Sequence, residues 1–113
     1  MDPERWRTFL TEQQERVRDR TRRLEAELKT LVRARRGESD DDEHDPEGET
    51  LSARWSMLAG LLESAREDEW QAERAMARLA SGAYGVCDSC GRPIPFPQLE
   101  VRPFRERCVS CSV

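Results

Sequence analysis

Four cysteines near the C-terminal end, in Cys87-Asp88-Ser89-Cys90 and Cys108-Val109-Ser110-Cys111, are separated by 17 residues and constrain this chain more than any other feature. Two Cys-x-x-Cys pairs at that distance have the spacing of a four-thiolate zinc site, each pair turning two sulfurs onto one tetrahedral ion. Gly85 and Gly91 suit the bends, because glycine reaches backbone angles closed to other residues. Pro93, Pro95, Pro97 and Pro103 predict an extended, non-helical chain between the pairs. Four thiolates fill the coordination sphere and leave no position for a catalytic water, so one structural zinc ion is expected and zinc catalysis is not.

Closely spaced cysteines also occur in secreted disulfide frameworks and in redox pairs. Here Met1-Asp2-Pro3-Glu4-Arg5 leads directly into a charged segment, with no apolar signal sequence or membrane span. That start predicts a reducing, cytoplasmic setting. A redox Cys-x-x-Cys also has no need of a duplicate. With 113 residues, 37% of them charged, the chain has little apolar material for an enzyme-sized core. No nucleophile–base pair, open metal site or glycine-rich phosphate loop is visible, so no enzymatic activity is expected. Within the finger, Ile94, Phe96, Leu99, Val101, Phe104 and Val109 are the apolar residues available for packing. They are too few to fold it alone, and metal binding is expected to supply much of the folding energy.

The first two-thirds of the chain predicts two long helices. Leu10, Val17, Leu24 and Leu31 recur every seven residues, with Trp6 one turn earlier and Gln14, Thr21, Leu28 and Arg35 at the intermediate positions. A second series, Leu51, Leu58, Ala65, Ala72 and Leu79, is interleaved with Trp55, Leu62, Glu69 and Met76. Pro3 and Gly37 can bound the first helix; Asp45-Pro46 or Thr50 can open the second, and Gly82 can cap its end. Each helix is then about 45–50 Å long. The short connection predicts an antiparallel coiled-coil hairpin. Trp6 and Leu79 should lie near the finger, and Leu31 and Trp55 near the opposite end. Small and polar groups at Gln14, Thr21, Ala65, Glu69 and Ala72 predict the loosest pairing in mid-seam. Trp70 lies off the seam, and burial against the first helix is its expected role. The fold class is thus mainly α: a hairpin over residues 1–82 and a four-cysteine zinc finger over 83–113. A monomer is expected, since the seam closes within one chain.

The charge is unevenly placed. Between Gly37 and Thr50 stand Glu38, Asp40, Asp41, Asp42, Glu43, Asp45, Glu47 and Glu49 with no lysine or arginine, a local charge of −8. Residues 1–36 carry 11 basic and 7 acidic side chains, and residues 51–113 carry 8 of each, so the whole net charge of −4 arises in that segment. Such a run commonly just solvates a loop. It also lacks the Asp-x-Asp-x-Asp-Gly order of a calcium loop.

The run Tyr84-Gly85-Val86-Cys87-Asp88-Ser89-Cys90-Gly91-Arg92-Pro93-Ile94-Pro95, then Leu99-Glu100-Val101-Arg102-Pro103 and Cys108-Val109-Ser110-Cys111, resembles the DksA/TraR zinc-finger signature. The preceding hairpin with an acidic tip extends that resemblance over nearly the whole chain. It implies a transcription regulator that binds bacterial RNA polymerase directly and inserts the hairpin into the secondary channel, with the tip near the active centre. The resemblance carries the family's metal ligands onto Cys87, Cys90, Cys108 and Cys111. It carries the tip pattern Asp-x-x-Asp-x-Ala onto Asp42-Glu43-His44-Asp45-Pro46-Glu47, where glutamate replaces the alanine and a proline intervenes. Asp42 and Asp45 are the tip candidates, with Asp41 under a small register shift and Glu47 at the altered position. It leaves response to the nucleotide ppGpp open, and tight binding by the free protein is not expected. Arg92, Arg102, Arg105 and Arg107 suggest a nucleic-acid finger instead, but Asp88, Glu100 and Glu106 offset them, so no sequence-specific DNA binding is expected. The alternative is a zinc-capped helical adaptor or stress-associated protein that docks on another partner.

Overall fold

The computed structural model describes residues 2–37 and 50–112. Two long helices dominate it, α1 (Pro3–Gly37) and α2 (Leu51–Ala80). A short helix α3 (Phe96–Val101) and a 3₁₀ turn over Val109–Cys111 follow.

The helix ends follow from local chemistry. Asp2 Oδ1 accepts the Arg5 N–H at 3.0 Å, and Pro3 starts α1 where its missing N–H costs nothing. Of the two predicted openings of α2, Thr50 is used: its Oγ1 accepts the Ala53 N–H at 2.9 Å. At the far end Gly82 takes φ +82°. The Ala83 N–H returns to the Arg78 carbonyl at 2.8 Å and the Gly82 N–H to the Leu79 carbonyl at 3.1 Å. This paired closure of orphan carbonyls turns the chain out of α2 and into the finger.

The fold divides into two compact units, Met1–Val17 with Asp68–Val113, and Arg18–Glu67. In the first unit, Leu10 of α1 and Ala75 of α2 share a buried cluster with Tyr84, Cys87, Ile94 and Leu99. In the second, Leu31 packs with Leu51 and Leu58, flanked by Leu24 and Leu28. The start of α1 thus pairs with the end of α2 in one unit, and the end of α1 with the start of α2 in the other, as an antiparallel pair requires. Leu51, Leu58, Ala65 and Ala72 of the first predicted series of α2 are buried, as is Leu62 of the interleaved one. In mid-seam the small residues Ala65 and Ala72 are 0% exposed and Thr21 is 3% exposed.

Several expectations are corrected. Trp55 is 42% exposed, whereas Leu51, Leu58 and Leu62 on the same helix are buried. Arg35 also stays exposed. Trp70 is 53% exposed rather than buried against α1, and the Arg74 guanidinium lies 5.1 Å from the centre of its ring. The segment between the cysteine pairs is not wholly extended: Pro97 lies in the first turn of α3, where proline is tolerated, and the helix ends before Pro103. Among the described residues no helix is long and apolar enough to cross a membrane.

Candidate metal centre

Two tight turns bring the cysteines together. In the first, Gly91 at φ +74° lets its N–H reach the Cys87 carbonyl at 3.0 Å, while the Cys90 N–H points at Cys87 Sγ at 3.5 Å. The Cys87 N–H closes the knuckle on the Arg92 carbonyl at 2.9 Å, and Val86 bridges to Pro93. In the second, the 3₁₀ turn donates the Cys111 N–H to the Cys108 carbonyl at 3.1 Å, and Ser112 Oγ donates to the same carbonyl at 2.8 Å.

The four sulfurs lie within 4.8 Å of one another, with Cys90 and Cys108 at 4.0 Å. Zn–S bonds of about 2.3 Å in a tetrahedron put sulfurs about 3.8 Å apart, whereas a disulfide needs about 2 Å. The thiols are free, so the set fits one tetrahedral metal ion and not two crosslinks.

Until a metal ion binds, the four thiols hold their protons unequally. Cys87 is lowered to about 6, first by the backbone N–H of Cys90 and then by that of Cys108. Cys111 is raised to about 12, first by hydrogen bonding with Cys108 and then with Cys87. Zinc takes thiolates, so it must displace the Cys111 proton, and lower pH favours the proton over the metal. Apparent zinc affinity should therefore rise from pH 6 to pH 8, with proton release. Zinc calorimetry in buffers of different ionisation enthalpy checks this; a pH-independent affinity would contradict it.

The centre is held against the helices of its own unit. Cys87 is 1% exposed and packs with Leu10, Ala75, Ile94 and Leu99. Beside it Trp6 meets Tyr84 edge-on at 5.1 Å and Phe96 at 5.8 Å, while Phe9 meets Phe96 at 5.4 Å. Gly85 at φ +82° lets the chain pass this ring; a Cβ there would lie 3.6 Å from Trp6. The Tyr84 hydroxyl donates to the Pro103 carbonyl at 2.7 Å, and burial holds its proton more firmly than usual. Of the six apolar residues expected inside the finger, Ile94, Leu99, Phe96 and Phe104 do pack. Val101 and Val109 are 81% and 50% exposed.

Charged pairs complete the attachment. Arg74 grips Glu106 through Nη2 to Oε1 at 2.7 Å and Nε to Oε2 at 3.2 Å, and Arg78 Nη1 lies 3.7 Å from the same carboxylate. Arg107 Nε pairs with Asp88 at 3.0 Å, and Arg105 donates to Gln98 Oε1 at 3.3 Å. Two of the four arginines that suggested a nucleic-acid finger are thus engaged within it. Sequence reading missed the Arg74–Glu106 pair because its partners stand 32 positions apart with no pattern linking them. The tip candidates Asp41, Asp42, Asp45 and Glu47 lie outside the described residues.

Two long helices, with a four-thiolate centre folded against one end of the pair, define a small helical protein with a metal-stapled finger. The family model of the prokaryotic dksA/traR C4-type zinc finger matches residues 82–112. The finger is thus of the dksA/traR C4 type. Its fold is similar to that of the transcription factor DksA2 from Pseudomonas aeruginosa, with a TM-score of 0.79 and 26% identity, over 97% of this chain and 79% of that one. A protein of Aquifex aeolicus described as uncharacterized is 37% identical over 38 residues, which cover 34% of this chain and about a quarter (26%) of that relative.

Proposed function

We propose that the chain is a non-enzymatic transcription regulator that binds bacterial RNA polymerase directly. Its paired helices enter the secondary channel and present the acidic segment near the active centre. The observation that carries this reading is the likeness to the transcription factor DksA2 along nearly the whole chain, helices and finger together. The charge pattern supports it: eight carboxylates between α1 and α2 suit a basic or magnesium-bearing site, and such contacts strengthen where water is excluded.

On this reading residues 1–82 are the polymerase-reaching hairpin and 83–113 the finger. Cys87, Cys90, Cys108 and Cys111 hold one structural zinc ion, and Asp42 and Asp45, flanked by Asp41 and Glu47, act at the tip. The protein works in the cytoplasm as a monomer, without reading DNA sequence and without tight binding of ppGpp on its own.

The test is binding of the zinc-loaded protein to purified bacterial RNA polymerase, with in vitro transcription, for wild type and Asp42→Asn/Asp45→Asn. Wild type should bind and alter transcription; the variant should bind but lose the effect. Absence of binding to several polymerases would reject the reading and favour an adaptor with another partner.

A further inference from the structure

The guanidinium of Arg78 lies where the end of α2 meets the finger, inside the unit formed by Met1–Val17 and Asp68–Val113. Its Nη2 donates to two carbonyls of the chain that enters the first cysteine turn, Ala83 at 3.1 Å and Val86 at 3.0 Å. Val86 directly precedes the ligand Cys87. On the other side of the same group, Nη1 faces Glu106 Oε1 at 3.7 Å, and Glu106 stands two residues before the ligand Cys108. The Glu106 carbonyl accepts the N–H of Asp88, the residue after Cys87, at 2.9 Å. These contacts close a ring that runs from Arg78 to Val86, through Cys87 to Asp88, across to Glu106 and back. One side chain of α2 thus engages the approaches to both cysteine pairs. That side chain is 19% exposed, and its Nε is buried without an acceptor among the described residues. An arginine merely covering a helix end keeps that group in water; here it is given up to place the two Nη atoms.

We propose that Arg78 is the positioning residue of the metal centre: it holds the Cys87 and Cys108 turns in register and so sets the affinity and geometry of the bound metal. The mechanism runs through the peptide plane. The Val86 carbonyl shares a rigid plane with the nitrogen and Cα of Cys87, so bonding that oxygen orients the Cα from which the thiolate projects. The task also needs a fork. Separate nitrogens serve the carbonyls and the carboxylate, and a planar guanidinium presents both in fixed geometry, whereas a lysine ammonium is a single centre. Groups that orient ligands without touching the metal commonly change its affinity by about 10–100-fold. Arg74 supplies the contrast. It bonds the Glu106 carboxylate more closely, at 2.7 Å, but its side-chain hydrogen bonds run to that residue alone and it is 50% exposed. An exposed pair of that kind adds little by charge alone.

The test measures zinc affinity by chelator competition, and the visible spectrum of the cobalt-substituted protein, for wild type, Arg78→Met, Arg78→Lys and Arg74→Met. All four proteins keep the four cysteines, so each should take one metal ion. Arg78→Met should lose about tenfold or more in zinc affinity and shift the cobalt bands, which report distortion of the thiolate tetrahedron. Arg78→Lys keeps a cation beside Glu106 and should still show most of that loss. Arg74→Met should stay within about threefold of wild type with an unchanged spectrum. Full recovery in the lysine variant would overturn the proposal, since charge alone would then suffice. Equal losses in Arg74→Met and Arg78→Met would overturn it too, by assigning the effect to the Glu106 ion pair. So would a lower urea midpoint in Arg78→Met with wild-type affinity and cobalt spectrum, the outcome for a residue that only packs. Should Arg78→Met fail to fold, Arg78→Lys read against Arg74→Met decides on the same criteria.

Discussion

Replacing Cys87 by serine should abolish stoichiometric zinc binding and unfold the finger, while the Leu31–Leu51–Leu58 cluster keeps its helices. Cys87 is at once a ligand candidate and the most buried of the four cysteines, so the change removes a thiolate and places a hydroxyl among Leu10, Ala75 and Leu99. The metal term dominates. Structural zinc contributes about 10–16 kcal/mol to finger peptides at neutral pH, comparable with or above the entire stability of a typical domain. The few apolar residues of this finger do not replace it. The measurement is zinc content together with limited trypsin digestion. Cleavage after Arg105 and Arg107 should become rapid, since Arg92 and Arg102 precede prolines that block trypsin, and chelation of the wild type should give the same pattern. A variant that retained one zinc and its protease resistance would contradict the four-thiolate assignment.

The second large effect is expected at Trp6. Its ring lies edge-on to Tyr84, tilted against Phe96 and near Phe9 at 6.4 Å, so it joins the start of α1 to both flanks of the finger. Trp6→Ala should cost about 3 kcal/mol, the lower end of the range for a buried aromatic because the ring is only half-buried. Trp6→Phe should recover most of that, since edge-to-face contact survives with a smaller ring. Urea unfolding of the zinc-loaded proteins measures the loss. In parallel, zinc should pass to a chelator faster from the alanine variant. A loss below about 1 kcal/mol would mean that the finger is held by its charged pairs instead.

Regular features were legible from sequence because their physics repeats. The seven-residue series located Leu10, Leu31, Leu51, Leu58 and Leu62 in the seam, and the cysteine spacing located the centre. Gly82 and Gly91 were identified as bends because few other residues tolerate positive φ. What escaped depends on single long-range encounters. Periodicity placed Trp55 in the seam, although it is 42% exposed while Leu51, Leu58 and Leu62 are buried. Glu106 was read as an offset to nearby arginines, whereas it is the anchor for Arg74 of α2. The aromatic cluster joins residues from positions 6 to 96, a separation at which no local pattern operates. The acidic run was visible as composition, and composition assigns a charge without assigning a contact.

The unit that holds the metal centre is made from the two ends of the chain, Met1–Val17 and Asp68–Val113. On the ribosome, Trp6, Phe9 and Leu10 are therefore made first and satisfied last. They wait through the synthesis of about a hundred residues, several seconds or more at bacterial elongation rates, before Cys111 emerges and the centre can close. During that interval α1 carries a row of unmatched aromatic and aliphatic groups on a highly charged helix. The charges that look like mere surface in the finished protein keep the nascent segment soluble until its partner exists.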